Sequence, residues 1–192
     1  MSPRRWALLR IIAATLAARG FQGVGMREIG QAAGLNAGTL YHHFKSKDDA
    51  LLSICWIGHE RTLADIDAVL AREQTLERRV EALFASHIRS LAEAGDFIQV
   101  YSNHRQDLPA DLGADLAQGW ATYRSRLALM FQQAATRGEI ASGLNDSHLG
   151  RMLIGQIRIL NQMHRAGRTA ELEPFATLAA GVFLRGLPRP QG

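Results

Sequence analysis

The chain has 192 residues, 47% of them apolar and 21% charged, with a formal net charge of +4, which allows a sizeable core beneath an ordinary soluble surface. A single cysteine, Cys55, excludes an intramolecular disulfide and a cysteine-based zinc site and suits a reducing cytoplasm, and no run approaches the ~18 consecutive apolar residues of a membrane span. The charge is uneven: residues 1–50 carry seven Lys/Arg against three acids, and the remainder carries fifteen of each, so all the excess positive charge lies where a polyanion-binding domain would need it.

Ser2-Pro3 is a good N-cap and first-turn pair, and the helix it opens is predicted to run from about Arg4 to Arg19, burying Leu9, Ile12, Ala13 and Leu16. Arg10 interrupts the apolar run after Arg4-Arg5, so an export signal is not expected there. Gly20 ends the helix and Phe21 is expected to plug a small core. Residues 25–47 then read as two short helices around a tight turn. Ile29, Ala32 and Ala33 give the first an apolar stripe, Gly34 is a natural left-handed stop, and Asn36 can cap the second. On that second helix Leu40 and Phe44 share the inward face at i and i+4. Thr39, Tyr41, His42 and His43 are left on an outer face that is rich in donors and rings and free of acids. A helix, a short turn with Gly and a second helix of this character form a helix-turn-helix, whose second helix enters the DNA major groove. An ordinary helical hairpin has the same spacing, and pattern alone does not separate the two.

Ten consecutive residues, Gly38-Thr39-Leu40-Tyr41-His42-His43-Phe44-Lys45-Ser46-Lys47, carry a specific resemblance, supported by Arg19-Gly20-Phe21, Arg27-Glu28-Ile29 and Ala33-Gly34-Leu35. Residues 1–50 resemble the N-terminal domain of the TetR family of bacterial transcription regulators. The resemblance implies a dimeric, ligand-released repressor of a palindromic operator. Its DNA contacts would fall on Arg27, Ala37, Gly38, Thr39, Tyr41, His42, His43, Lys45 and Lys47, with Arg27 and Lys47 on phosphates. One departure is Gly25, where the family usually has a Thr or Ser that caps the next helix and reaches a phosphate.

Ser46-Lys47-Asp48-Asp49 reads as a capping box opening a long helix to roughly Leu70. Helical spacing continues through Leu76, Val80, Leu83, Phe84, His87, Ile88 and Leu91. Ala94-Gly95-Asp96 is expected to break the chain before a short helix carrying Phe97, Val100 and Tyr101. Leu112, Leu116, Trp120, Tyr123, Leu127 and Phe131 mark another long helix, Leu149 to Leu160 a further one, and Phe175 to Phe183 the last. The expected fold is all-α with about nine helices. Three of them form a helix-turn-helix domain (1–47), six form a ligand-binding and dimerisation domain (48–187), and residues 188–192 are a disordered tail. The second part is looser in its likeness to the family's fatty-acyl and steroid-catabolism repressors, through Tyr101, Leu108-Pro109, Trp120/Tyr123 and Phe183-Leu184-Arg185-Gly186-Leu187. The Trp/Tyr-Arg-Pro-Gly-Gly segment of that branch is Met163-His164-Arg165-Ala166-Gly167 here.

No catalytic constellation or phosphate loop stands out, so an enzyme and a cofactor are not expected. Asn103, His104 and Asp107 have a spacing that suits a divalent ion, although a polar patch at a helix end explains them more simply, and no metal site is expected. Phe84, His87, Tyr101, Trp120, Tyr123, Arg124 and Leu127 supply large apolar groups with a few polar ones, the make-up of a pocket for a hydrophobic effector with an anionic head, such as an acyl-CoA. A filled core, another hydrophobic ligand or no ligand are the alternatives. Leu153, Ile154, Ile157, Ala179, Val182 and Phe183 spread apolar surface widely around the last two helices, and a four-helix interface with a symmetry mate would cover it. The competing reading of the whole chain is a helical binding module whose basic helices touch RNA or an acidic protein. The compact polar face of Thr39, Tyr41, His42 and His43 speaks for DNA instead.

Overall fold

The computed structural model describes residues 2–190, except for the side chain of Ala37. Eight α-helices follow one another: α1 (Pro3–Arg19), α2 (Met26–Ala32), α3 (Ala37–His43), α4 (Lys47–Arg72), α5 (Leu76–His104), α6 (Ala110–Thr136), α7 (Asp146–Arg165) and α8 (Leu172–Arg185). Single 3-10 turns at Arg105–Asp107 and Thr169–Glu171 complete the regular structure, and the described residues contain no strand. The break expected at Ala94-Gly95-Asp96 is a bend inside α5. Ala94 leaves helical geometry there (φ −146°, ψ 31°), and counting the two limbs apart restores the ninth helix.

The chain forms two compact units, Met1–Arg61 with Ala94–Gly119, and Thr62–Glu93 with Trp120–Gly192. In the first, Ser2 accepts the Arg5 amide and Pro3 opens α1, whose Leu9, Ile12 and Leu16 are buried with Ile29, Leu40, Phe44, Leu51 and Ile54. Each such side chain contributes roughly 1.5–3 kcal/mol by leaving water. The second limb of α5 belongs to this unit: Phe97 stacks on Trp6 with centroids 5.2 Å apart, and the Gln99 amide donates to the Ala17 carbonyl at 3.1 Å. The limb lies close enough to α4 that a Cβ on Gly58 would meet the Phe97 carbonyl oxygen at 2.6 Å, so only glycine fits.

In the second unit Val80, Leu83, Phe84, Leu127, Phe131, Leu153, Leu160 and Phe183 form the core, with Phe131 and Phe183 centroids 5.8 Å apart. Both Asp65 carboxylate oxygens accept serine hydroxyls at 2.7 Å, from Ser86 and Ser90, joining α4 to the first limb of α5. The tail departs from expectation at its start. The Pro188 carbonyl accepts the Ala141 amide at 2.8 Å and the Arg189 guanidinium donates to the Glu139 carbonyl at 3.3 Å, so these residues are fastened after the helix has ended. Residues 191 and 192 of that expected tail lie outside the described ones.

Candidate nucleic-acid interface and effector site

The candidate reading element is α3, positioned by a turn with little freedom. Gly34 takes φ 66°, and the Leu35 amide then returns to the Gly30 carbonyl at 2.8 Å. Asn36 caps α3 by accepting the Thr39 amide at 2.8 Å, and the same oxygen accepts the Thr39 hydroxyl at 2.9 Å. Thr39 is therefore half-buried and committed as a donor, leaving its lone pairs for an outside partner. Leu40 and Phe44 are fully buried, as their spacing requires. At the far end of α3, Arg5 donates to the His43 carbonyl at 2.7 Å while its guanidinium lies 4.6 Å from the Phe44 ring centre. This clamp spans 38 residues, and no local pattern announces it.

Opposite the buried stripe, Gly38, Tyr41 and His42 are exposed and His43 is half-exposed. Tyr41 keeps 52% of its surface, and neither it nor His42 has a polar partner among the described residues. Ala37 opens the helix, but its side chain is outside the described ones. Arg27 and Lys45 are exposed cations. Lys47 is placed differently from the expectation of a simple phosphate contact. Its ammonium donates to the carbonyls of Phe21 (2.9 Å) and Val24 (3.1 Å), which leaves one N–H for another partner.

Gly25 still caps α2, through its backbone. Its N–H donates to Glu28 at 2.8 Å, and Arg19 reaches both Glu28 (2.5 Å) and the Gly23 carbonyl (3.3 Å). The Gly25 amide, and then Arg19, hold the Glu28 carboxyl below its usual range. A fixed turn at the start of α2 results without a Thr or Ser. Sequence reasoning misses this use of Arg19, because its partner lies nine positions further along the chain.

The residues expected to line an effector pocket are divided between the two units. Tyr101 belongs to the first unit, where its hydroxyl lies 3.1 Å from His59 Nδ1, and burial pushes its pKa up to about 12. The other six lie in the second unit. His87 is buried with Nε2 2.6 Å from Asn161 Oδ1, and burial lowers its pKa. Trp120 stacks on buried Tyr123 at 5.3 Å, Leu127 is fully buried, and Arg124 is exposed. A cavity of about 1040 Å³ opens elsewhere in this unit, along the first limb of α5 and α8. Its floor includes Phe84, Ile88, Ile140, Ala180 and Leu184, and its rim includes Arg89, Arg185, Glu77 and Glu173. Phe84 alone of the expected residues lines it.

The residues expected at a dimer contact on the last two helices differ in burial. Leu153, Ile157, Ala179 and Phe183 are buried in their own unit and Ile154 is half-buried, whereas Val182 is 56% exposed. The uncovered apolar groups on α7 and α8 are Met152 (58%), Ile159 (40%), Leu178 (62%) and Val182. A 3.6-residue period sets 152 and 159 one stripe away from the inward 153, 157 and 160. Of the ion-binding candidates, His104 and Asp107 are paired to each other at 2.7 Å, and the described residues hold no cluster of three or more metal-ligating side chains. No helix among them is long and apolar enough to cross a membrane.

A capped, acid-free α3 standing out from a three-helix core defines a helix-turn-helix DNA-binding protein. Residues 8–54 match the family model described as bacterial regulatory proteins, tetR family. The chain is 24% identical to the HTH-type transcriptional repressor KstR2 of Rhodococcus jostii (strain RHA1), over 98% of this chain and 93% of the relative. The fold matches the ketosteroid transcriptional regulator KstR2 of Mycobacterium tuberculosis with TM-score 0.86 at 20% identity, covering 98% and 97% of the two chains. It also matches AibR in complex with isovaleryl coenzyme A and operator DNA, with TM-score 0.74 at 18% identity, covering 89% and 98%.

Proposed function

We propose that this protein is a cytoplasmic repressor that binds a palindromic operator as a two-fold dimer and releases it when a hydrophobic effector binds. The observation that carries the reading is the outward face of α3, where Tyr41 and His42 stand exposed and unpartnered, with Arg27 and Lys45 as exposed cations in the same domain. Tyr41, His42 and His43 then read the groove, with Thr39 accepting through its hydroxyl, while Arg27, Lys45 and the remaining N–H of Lys47 meet phosphates. Ala37 and Gly38, at the N-terminal end of α3, bring its backbone to the DNA. One two-turn helix reads too few base pairs to single out an operator, so specificity requires two copies. In this scheme residues 1–47 bind DNA and residues 48–187 hold the effector and the dimer contact, built on Met152, Ile159, Leu178 and Val182.

The effector class is an acyl-CoA or similar hydrophobic acid. The apolar floor of the α5–α8 cavity supports it, as does the isovaleryl-CoA bound by the structural relative AibR. Selection of DNA by the purified protein, followed by a salt-dependent gel shift, tests the reading. Tyr41→Ala and His42→Ala should each lose about 1–3 kcal/mol of discrimination at particular base pairs. Unchanged affinity and preference in both variants would refute the role of α3. Addition of long-chain acyl-CoAs to the complex should release the DNA, and failure of all of them would remove this effector class.

A further inference from the structure

A smaller cavity of about 260 Å³ lies between α6 and α7 in the second unit. Each helix presents residues at i, i+3, i+4 and i+7 to it: Arg124 and Ser125 between two alanines on α6, and Ser147, Gly150, Arg151 and Ile154 on α7. No carboxylate lines it, and neither Arg124 nor Arg151 has a polar partner among the described residues. The two guanidiniums thus share one concavity without a counter-charge. Gly150 brings bare backbone to its floor, and a Cβ there would be 3.4 Å from that of Leu127, so the helices are in close contact beneath.

We propose that this notch binds a phosphate or pyrophosphate group. Arginine forks match phosphate oxygens in pairs, and an anion between two such groups relieves their mutual repulsion. The notch is smaller than the roughly 300–1,000 Å³ of a site for a whole drug-sized molecule, so it suits a headgroup and not a complete amphiphile. Ser147 Oγ adds a donor on the same stripe as Arg151. Only the source of the phosphate rests on the effector reading: it is either the phosphorylated part of that effector or a free polyphosphate.

Isothermal titration calorimetry of the full chain with inorganic pyrophosphate tests the site. Arg124→Gln and Arg151→Gln should each weaken binding at least about tenfold, while thermal melting without ligand stays as in the wild type. Absence of pyrophosphate binding, or equal binding by wild type and both variants, overturns the proposal. Coenzyme A without an acyl chain forms the second arm. Tighter binding than pyrophosphate, weakened by the same substitutions, identifies a phosphorylated effector. Pyrophosphate binding that depends on both arginines, with no gain from coenzyme A and no DNA release by acyl-CoAs, keeps the notch as a free-polyphosphate site and rejects the effector reading.

Discussion

Lys47 Nζ sits 4.0 Å from the centre of the Phe21 ring and donates to the carbonyl of the same residue at 2.9 Å. The first residue of α4 thereby fastens the turn between α1 and α2, with Val24 as its second acceptor. A lysine at this position serves the fold before it serves the ligand.

Lys47→Ala is accordingly expected to lower unfolding stability by about 1–2 kcal/mol, from two charge-assisted hydrogen bonds and a cation–ring contact. It should also weaken DNA binding. Lys45→Ala, at an exposed side chain, should leave stability unchanged within about 0.5 kcal/mol and reduce the slope of log K against log salt by roughly one. Urea melts beside salt-titrated gel shifts separate the two. Equal stability of both variants would show that the Phe21 and Val24 contacts contribute nothing.

Gly58→Ala should destabilise by about 1–3 kcal/mol, because the new methyl has backbone oxygen and the Tyr101 Cβ as its nearest neighbours and neither is a flexible tip. Gly155→Ala is the control. Nothing lies within 4 Å of its added Cβ, and it sits inside α7, so a stabilisation of roughly 0.5–1 kcal/mol is expected. Thermal melts of both decide the matter.

Much of this was legible in the sequence, for reasons that differ by residue. Leu40 and Phe44 announce their burial through helical spacing, Asn36 its cap through position, and Ala94-Gly95-Asp96 a departure from straight helix. Arg5 on His43 and Lys47 on Phe21 were not legible, since they join distant residues through backbone carbonyls, which every sequence position offers alike. For the expected effector residues the sequence left both readings open, because large apolar side chains look the same whether they line a cavity or fill a core. Tyr123, Leu127 and His87 fill one. For α7 and α8 composition did not reveal phase: Leu153 and Phe183 are buried in their own unit, and a neighbouring apolar stripe is left exposed.

That stripe gives the next expectation. Leu178→Glu with Val182→Glu should yield a folded monomer by light scattering and circular dichroism, with operator affinity sharply reduced. Phe183→Ala should instead cost about 3–5 kcal/mol of stability, because it leaves a hole against Phe131. A double glutamate variant that stays dimeric would place the dimer contact elsewhere.

His87 sets a pH dependence whose direction follows from its burial. Its folded-state pKa is depressed, chiefly by desolvation, although the Asn161 bond and the Asp65 charge oppose the shift. The neutral ring therefore stabilises the fold above the unfolded value of about 6.5, and this contribution is lost as pH falls through the folded value. Urea midpoints should drop between neutral and mildly acidic pH, and His87→Gln, which keeps a donor toward Asn161 without the titration, should flatten part of that drop. An unaltered slope would assign the acid sensitivity to other groups.

The seven residues of α3 are too few to stay helical alone, since isolated helices below about 12–15 residues are marginal in water. Its shape is imposed by Asn36, Arg5, Leu40 and Phe44, all of them through contacts within the chain itself. On the proposed reading, α3 is expected to meet DNA already ordered. Association should show a heat-capacity change that reflects docked surface alone, without the added burial that accompanies a segment folding as it binds. Amide exchange along α3 should likewise require the three-helix core to open, rather than a local unwinding of the helix.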